Sequence, residues 1–442
     1  MRPRTWVLVL AAVFAVLQLA NVTGRATPDT KNYLSYAMSL RGASTREAAT
    51  VAIDYSCASQ GANARRDQSV NPLNFHGKDP AARVAKKCRD AEWRGVNARL
   101  RAGQTGGFIT PFTSERFMRI FEVRPGYPVF LVPFVTLLGP VWGMWSASVV
   151  LTVAGGVLVF LILRTLSVSV PLALTGQALY YVLPCGTTSM RPMTEGLMTA
   201  LTLAAVWGCA LVLKGRRTRA GLALVGGSLV LLFTVKHSQS LFLGLCLAGA
   251  GALVAVGRWR RGRAPGRALV TVAALGATAA LGTLVLAGAL HYPSQTDSLQ
   301  DLLTDHYARP DRTRLWPEFL HLEANFWLEW TRQQLWQPML AAALGAGVWG
   351  AVRRPAFGVF LIGAAFTGVL TQAAHPDISV WGGRLIVLVW LLPVVGVPLL
   401  LESVVRGKAV VGVGGPVPTP VPGQGVGPGF GEHAQSVRRG GA

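Results

Sequence analysis

The stretch VWGMWSASVVLTVAGGVLVFLIL, residues 141–163, carries no charge and is almost wholly apolar. About 20 such residues as a helix cross a ~30 Å hydrocarbon core. Similar runs follow over Val168–Leu183, Gly196–Leu213, Ala220–Val235, Ser238–Val256, Ala268–Leu290, Pro338–Val352, Ala356–Ala373 and Arg384–Leu401. With Trp6–Val22 they make ten segments, of which Ala220–Val235 and Pro338–Val352 are short for a span. The composition agrees. Among 442 residues, 51% are hydrophobic and only 14% charged, against about a quarter in an ordinary soluble domain, and the mean hydropathy is +0.41. The expected fold is an all-α membrane protein of about ten transmembrane helices with a large exported first loop.

The formal charge of +22 does not point to nucleic acid, because the cations form no single face. They sit in short clusters between apolar runs, as topology signals do. Lys214 to Arg219, Arg258 to Arg267, Arg353–Arg354, and Arg406 with Lys408 all fall on one side if there are ten crossings, together with Met1–Arg4. The positive-inside rule makes that side the cytoplasm, with both termini in it. The expected location is the plasma membrane. The basic start followed by Trp6–Val22 reads as an uncleaved anchor, with a signal peptide as the competing reading.

This organisation divides the chain into a first transmembrane helix over 1–22, an exported loop with an interfacial helix over 23–140, and helices two to seven over 141–290. A second exported loop follows over 291–337, then helices eight to ten over 338–404 and a cytoplasmic tail over 405–442. Tyr127–Leu138 is apolar but too short to span. It reads as an interfacial or re-entrant helix, with Pro128 and Pro133 bending the chain. In the second exported loop Phe319, Leu322, Phe326 and Trp330 recur at helical spacing, which suits either a helix at the interface or a small packing core. Gly412–Gly431, dense in Gly, Pro and Val, reads as disordered.

Of the five cysteines, Cys57 and Cys88 lie in the first polar loop. Outside the cytoplasm they are expected to form a disulfide, the alternative being two free thiols. No Cys/His spacing suggests zinc, and no hydrolase elbow, zincin or phosphate-loop motif occurs.

Candidate chemistry gathers at the outer edges of the apolar segments. Asp29 lies just past the first crossing, followed by Tyr33 at helical spacing. Its carboxylate suits a general base, and equally the N-cap of a helix starting near Thr30. Arg124, in Arg124-Pro125-Gly126-Tyr127-Pro128, suits a phosphate held by paired hydrogen bonds, or a side chain snorkelling to the headgroups. Glu122 is its nearest acid, with Arg119 as the other cation in reach. Arg191-Pro192-Met193-Thr194-Glu195 opens another crossing, Lys236-His237 occupies a turn between two, and Arg384 opens the last. Charges at such depth are costly unless they face a cavity or the interface.

These motifs resemble those of the polytopic GT-C glycosyltransferases, and are similar to the protein O-mannosyltransferase and lipid A aminoarabinose-transferase group. The matching features are Asp29 with Tyr33 and Ala37 beyond it, Arg124-Pro125-Gly126-Tyr127-Pro128 before an apolar run, Glu195 opening a crossing, the Thr234-Val235-Lys236 turn, and Arg384. Departures are a single acid at Asp29, no Asp-x-Asp motif, and Leu385 where the group has Tyr. The resemblance implies transfer of a sugar from a polyprenyl-phosphate donor to an unidentified acceptor outside the cytoplasm. Asp29 would be the general base and Arg124, Lys236 and Arg384 the phosphate ligands. Tyr127 and Glu195 would complete the substrate-binding set. Membrane lipid is an expected partner and nucleic acid is not; no cofactor is implied, and a divalent metal has no motif behind it. Two other classes remain open. A transporter or flippase of lipid-linked sugars predicts related halves and polar residues at mid-membrane. A non-catalytic membrane protein would use its exported loop to bind a partner.

Overall fold

A computed structural model of the chain describes residues 2–105, 107–378 and 384–411, the side chains of 406–411 excepted. It divides into a main unit, Met1–Ser403, and a second, Val404–Ala442, of which only the end of the last helix is described. The tail from Gly412 lies outside the described residues. Those residues are helical throughout, with no strand among them. Seven helices are long and apolar enough to cross a membrane: Pro3–Asn21, Gly126–Thr165, Thr194–Leu213, Thr218–Trp259, Arg267–Ala289, Pro355–Ala373 and Val387–Val405. An eighth arises if Leu315–Trp336 and Met339–Val352, bent by 91° from each other, form one span.

The elements in chain order are α1 (Pro3–Gln18), α2 (Thr30–Leu40), α3 (Thr45–Ser69), α4 (Ala81–Arg101), α5 (Glu115–Glu122), α6 (Gly126–Thr165), α7 (Val170–Val182), α8 (Pro184–Ser189), α9 (Thr194–Leu213), α10 (Thr218–Trp259), α11 (Arg267–Ala289), α12 (Gln295–Leu303), α13 (Leu315–Trp336), α14 (Met339–Val352), α15 (Pro355–Ala373) and α16 (Leu391–Val411). The last runs seven residues past the expected boundary at 404. Two of the long helices are folded back on themselves. In α10 the Ser240 hydroxyl donates to the Leu229 carbonyl at 2.9 Å, eleven residues away. A straight helix would hold those positions roughly 16 Å apart. The reversal lies at Lys236, whose φ and ψ of −161° and 93° break the helix, so the two apolar runs either side of it are separate arms. In α6 the break is at Gly139, φ 73°, followed by Pro140. A Cβ at Gly143 would stand 2.7 Å from the Phe134 carbonyl, so Gly126–Leu138 doubles against the long arm. The bend therefore sits at Gly139–Pro140 and not at Pro128 or Pro133. Proline in a first turn fits a helix, whereas a left-handed φ needs glycine.

The arms pack through small residues. Gly208 and Gly221 meet backbone to backbone between α9 and α10, and Gly244 and Gly276 do so between α10 and α11. Close backbone approach is how helices gain contact where the surroundings are as apolar as the side chains.

The first polar interval is itself a layered helical body. Ser44 caps α3 and Ser114 caps α5, each accepting from a backbone N–H three residues on, with Glu47 and Glu115 in the first turns. Acids there complement the helix dipole. Ala48, Ala49, Ala52, Ile53 and Cys57 line the buried side of α3 and pack with Tyr33, Leu34 and Ala37 of α2 and Val96 of α4. Cys57 and Cys88 form the expected disulfide, with Cα atoms 5.5 Å apart. It pins α4 to α3 as one hairpin.

The second polar interval clasps the first. Arg116 of α5 reaches Asp297 and Asp311 at 2.8 Å each and lies over the Tyr307 ring. Asp305, His306 and Tyr307 all take left-handed φ, 53° to 61°, which costs a non-glycine residue about 1 kcal/mol or more. Bonds from Tyr307 to Thr304 and to the Asp297 carbonyl hold them there. So does the His306–Asp301 contact of 3.0 Å. The helical stripe of this region proves to be α13. Its Leu315 and Phe319 form a small core with Leu299 of α12, while Trp316, Leu320 and Leu328 on the same helix stay exposed.

The disulfide closes a loop spanning 31 residues, which corresponds to roughly 3–4 kcal/mol of chain entropy. Cys57→Ser with Cys88→Ser should therefore lower the midpoint of thermal unfolding of the purified protein. Hydrogen exchange should speed up first in α4. The His306 imidazolium is held above its ordinary range by the hydrogen bond with Asp301, against a smaller opposing effect of burial. A raised folded-state pKa means this contact stabilises below pH ~6.5 and weakens as pH rises through the folded value. Exchange in residues 300–312 should thus accelerate between pH 6 and pH 8 after correction for intrinsic rates, and His306→Ala should remove that pH dependence.

Candidate functional site

The separate outer edges that carry charge in the sequence meet at one place. The centre is Arg384, immediately before the last apolar segment. Its Nε–H donates to Glu195 Oε1 at 3.0 Å, and its other guanidinium face donates to Asp29 Oδ2. The Glu195 side chain is 1% exposed and that of Asp29 13%. Two carboxylates from helices far apart in sequence thus share one cation. Burying an unpaired carboxylate at the position of Glu195 would cost several kcal/mol.

Local sequence explains how each group arrives. Asp29 occupies the N-cap position of α2, but its side chain makes no capping bond. The neighbouring Thr30 takes over the polar work of the turn: its Oγ1 accepts from Thr27 N–H at 2.8 Å and donates to the Pro192 carbonyl at 3.0 Å. That second bond docks the start of α2 against the loop leading into α9. The Asp29 carboxylate is left to Arg384, so the capping reading of Asp29 gives way to an ion-pairing one. Glu195 is in the first turn of α9, where the dipole favours an acid, and its Oε2 accepts from the Thr194 hydroxyl at 3.1 Å.

Arg124 and Lys236 approach through a glycine. A Cβ on Gly126 would stand 2.5 Å from Thr234 Oγ1 and 3.0 Å from the Thr234 carbonyl carbon. Only glycine lets the start of α6 lie against the turn of α10. Lys236 is consequently within electrostatic range of Glu195, Arg124, Arg384 and Asp29, and Arg124 is in range of Tyr33 and His237. Glu122 does not neutralise Arg124. It faces Arg119 and the Phe108 backbone, and its own carbonyl accepts from the Tyr36 hydroxyl.

Tyr127 is fully buried, 5.3 Å ring to ring from Tyr33 in an edge-on contact. Among the described residues its hydroxyl has no hydrogen-bond partner, and the same is true of Arg124 Nε and His237 Nδ1. Buried polar atoms are nearly always hydrogen-bonded, so a group of unsatisfied ones around one charged centre is unusual. Burial first, then the charges of Asp29 and Glu195, push the Tyr33 phenol up to about 12, so Tyr33 works as a neutral hydroxyl.

All six residues expected from the sequence, Asp29, Arg124, Tyr127, Glu195, Lys236 and Arg384, thus belong to one neighbourhood. Tyr33 and His237 join them. The signal for Tyr33 was its helical spacing after Asp29, and that for His237 the polar run Lys236-His237-Ser238-Gln239-Ser240 between two apolar stretches. Gln239 bonds onward to Thr367 at 3.0 Å and ties the turn to α15. Among the described residues no group of three or more His, Cys, Asp or Glu stands close enough together to hold a metal ion.

Gly126→Ala should separate α6 from the α10 turn. The expected loss is about 1–3 kcal/mol, read as a lowered thermal midpoint in detergent, whereas Gly227→Ala, which meets nothing within 4 Å, should stay near neutral. Set against family models, curated proteins and solved structures, the chain matches none.

Proposed function

We propose that the protein is a membrane glycosyltransferase of GT-C type. It moves a sugar from a polyprenyl-phosphate donor to an acceptor outside the cytoplasm, with Asp29 as the general base. The observation that carries this reading is the convergence of Asp29, Glu195 and three cations, Arg124, Lys236 and Arg384, beside buried and unpartnered polar atoms of Arg124, Tyr127 and His237. A phosphate needs cations and N–H donors, and a hydroxyl nucleophile needs a carboxylate. Both are within one neighbourhood.

In the reaction the acceptor hydroxyl gives its proton to Asp29 as its oxygen bonds to the anomeric carbon. The bond from that carbon to the phosphate oxygen breaks, and the polyprenyl phosphate leaves with the electron pair. Arg124, Lys236 and Arg384 stabilise the negative charge that builds on it. Before the donor binds, Arg384 is paired with Asp29. A phosphate that engages the guanidinium frees the Asp29 carboxylate to face the acceptor hydroxyl. Glu195, held to Arg384 Nε, keeps the guanidinium in place during the exchange, and Tyr127 offers its hydroxyl to the donor.

The proposed topology is ten crossings in the plasma membrane with both termini in the cytoplasm. It counts the two arms of α10 separately and includes α7 and α14, which are shorter than a full span. The basic clusters support it through the positive-inside rule. The disulfide supports an oxidising location for the first polar interval.

Transfer of labelled sugar from polyprenyl-phosphate donors in isolated membranes tests the function. Asp29→Asn should lower the rate by 10²–10⁴-fold, the usual contribution of a general base, with the thermal midpoint little changed. Arg384→Gln should abolish transfer and also destabilise the protein, because it leaves Glu195 buried without its hydrogen-bonded cation. Retention of wild-type rate by Asp29→Asn would falsify the catalytic assignment.

A further inference from the structure

A second feature lies at the far end of the polar hairpin, in the turn joining α3 to α4. A cavity of about 680 Å³ opens there, lined by Asp67, Gln68, Asn71, Asn74, Lys78 and Arg83 among others. Some of these side chains build the turn. Gln68 Nε2 donates to the Lys78 carbonyl at 3.2 Å and Asn71 Oδ1 accepts from Leu73 N–H at 2.9 Å. The side chains of Asp67, Asn74, Lys78 and Arg83 take no part in the hydrogen bonds or ion pairs of the turn. Planar amides, a carboxylate and a guanidinium around one polar cavity suit hydroxyl groups in pairs. That is the chemistry of a sugar.

Arg83 also begins a cationic stripe. Arg83, Lys87, Arg94 and Arg101 of α4 are all exposed and lie within about 40° of one another around the helix at 3.6 residues per turn. Asp90 is the one acid on that face. The opposite side of α4, with Cys88 and Val96, packs on α3 and is fixed by the disulfide. The stripe runs for roughly 27 Å at 1.5 Å per residue. That is too long for one small anion, and its charges are spaced for a chain bearing repeated negative groups. Exposed like charges repel, so the arrangement costs stability unless an anion is met.

We infer that the cavity and the α4 stripe form one binding surface for an anionic polysaccharide, the cavity holding a sugar ring and the stripe the charges that follow it. On the transferase reading given above, this polymer is the acceptor. The link to the site is physical: Lys31 Nζ, two residues from Asp29 on α2, is 2.6 Å from Glu92 Oε1 of α4, so the helix that carries the stripe is braced against the helix that starts at the proposed base.

Binding of the purified full-length protein in lipid nanodiscs tests this without any transfer reaction. The probes are polygalacturonate, neutral dextran, dextran sulfate and vesicles of phosphatidylglycerol. Polygalacturonate should bind and weaken as salt rises, and neutral dextran should bind at least tenfold more weakly. Arg83→Glu with Lys87→Glu and Arg94→Glu should lower polygalacturonate affinity at least tenfold. Asp67→Ala with Asn74→Ala should weaken polygalacturonate several-fold while leaving dextran sulfate unchanged, because only the sugar ring uses the cavity. Asp29→Asn should bind as the wild type does, so loss of transfer in that variant and loss of this surface are read separately. Undiminished polygalacturonate binding by the triple variant overturns the proposal. So does a stripe-dependent attachment to the vesicles without binding of polygalacturonate, which would make the face a lipid-docking one. Equal sensitivity of dextran sulfate to the cavity variant would overturn the sugar-reading role of the cavity.

Discussion

One guanidinium sets the terms for the rest of the molecule. Glu195 is almost completely buried at the start of an apolar helix, and Asp29 is partly buried. A carboxylate at that depth is sustained by a close cation with directed hydrogen bonds, and Arg384 supplies both from a single planar group. Every element near it answers to that requirement. The Thr30–Pro192 bond docks α2 on the approach to α9. Gly126 removes the side chain that would keep α6 from the Lys236 turn. The break at Lys236 turns one long apolar stretch into two arms and leaves a lysine at their tip. A hydrophobic bundle could be assembled in many registers. The buried charges restrict it to the ones in which they meet.

Much of this was legible in the chain and some was not. Apolar runs near 20 residues identified the helical class directly, because burial in lipid demands length and lack of charge, both of which are local properties. Asp29, Arg124, Glu195, Lys236 and Arg384 stood out for the same reason: each is a charge at the margin of an apolar run, where its cost must be offset. What the sequence did not carry was the partnership. Whether Arg384 meets Glu195, Asp29 or neither depends on how helices pack, and packing of apolar arms is decided by small residues such as Gly208, Gly221, Gly244 and Gly276. Their meaning appears only in pairs. Asp29 shows the same limit at short range. Its place before a helix read equally as a cap, and the Thr30 hydroxyl, one residue on, took the bonding of that turn. The bend before the second long arm was likewise assigned to prolines, while a left-handed glycine makes it.

The polar hairpin illustrates a different kind of legibility. Cys57 and Cys88 indicated a cross-link, yet nothing in their surroundings indicated a layered helical body. The alanine-rich face of α3 is the reason it forms. Ala48, Ala49 and Ala52 allow α2 and α4 to come close on either side of one helix, and Val96 closes the far layer. Small side chains give little hydrophobic signal, so the stretch read as polar. Its outward charges then follow, since the inner positions are spent on packing.

The pairing of Arg384 with Asp29 spans 355 residues of chain, and this separation bears on the order of assembly. A chain is made from its N-terminus, so Asp29 and Glu195 both precede their common counter-ion by a long interval of synthesis. During that interval the two acids lack the guanidinium that they share in the folded chain. The earlier helices can pack with one another through their glycines, but the charged centre closes only when the last apolar segment arrives. A polypeptide cut short of that point lacks the one group that joins both acids, so the ion pair at the centre requires the last segment of the fold.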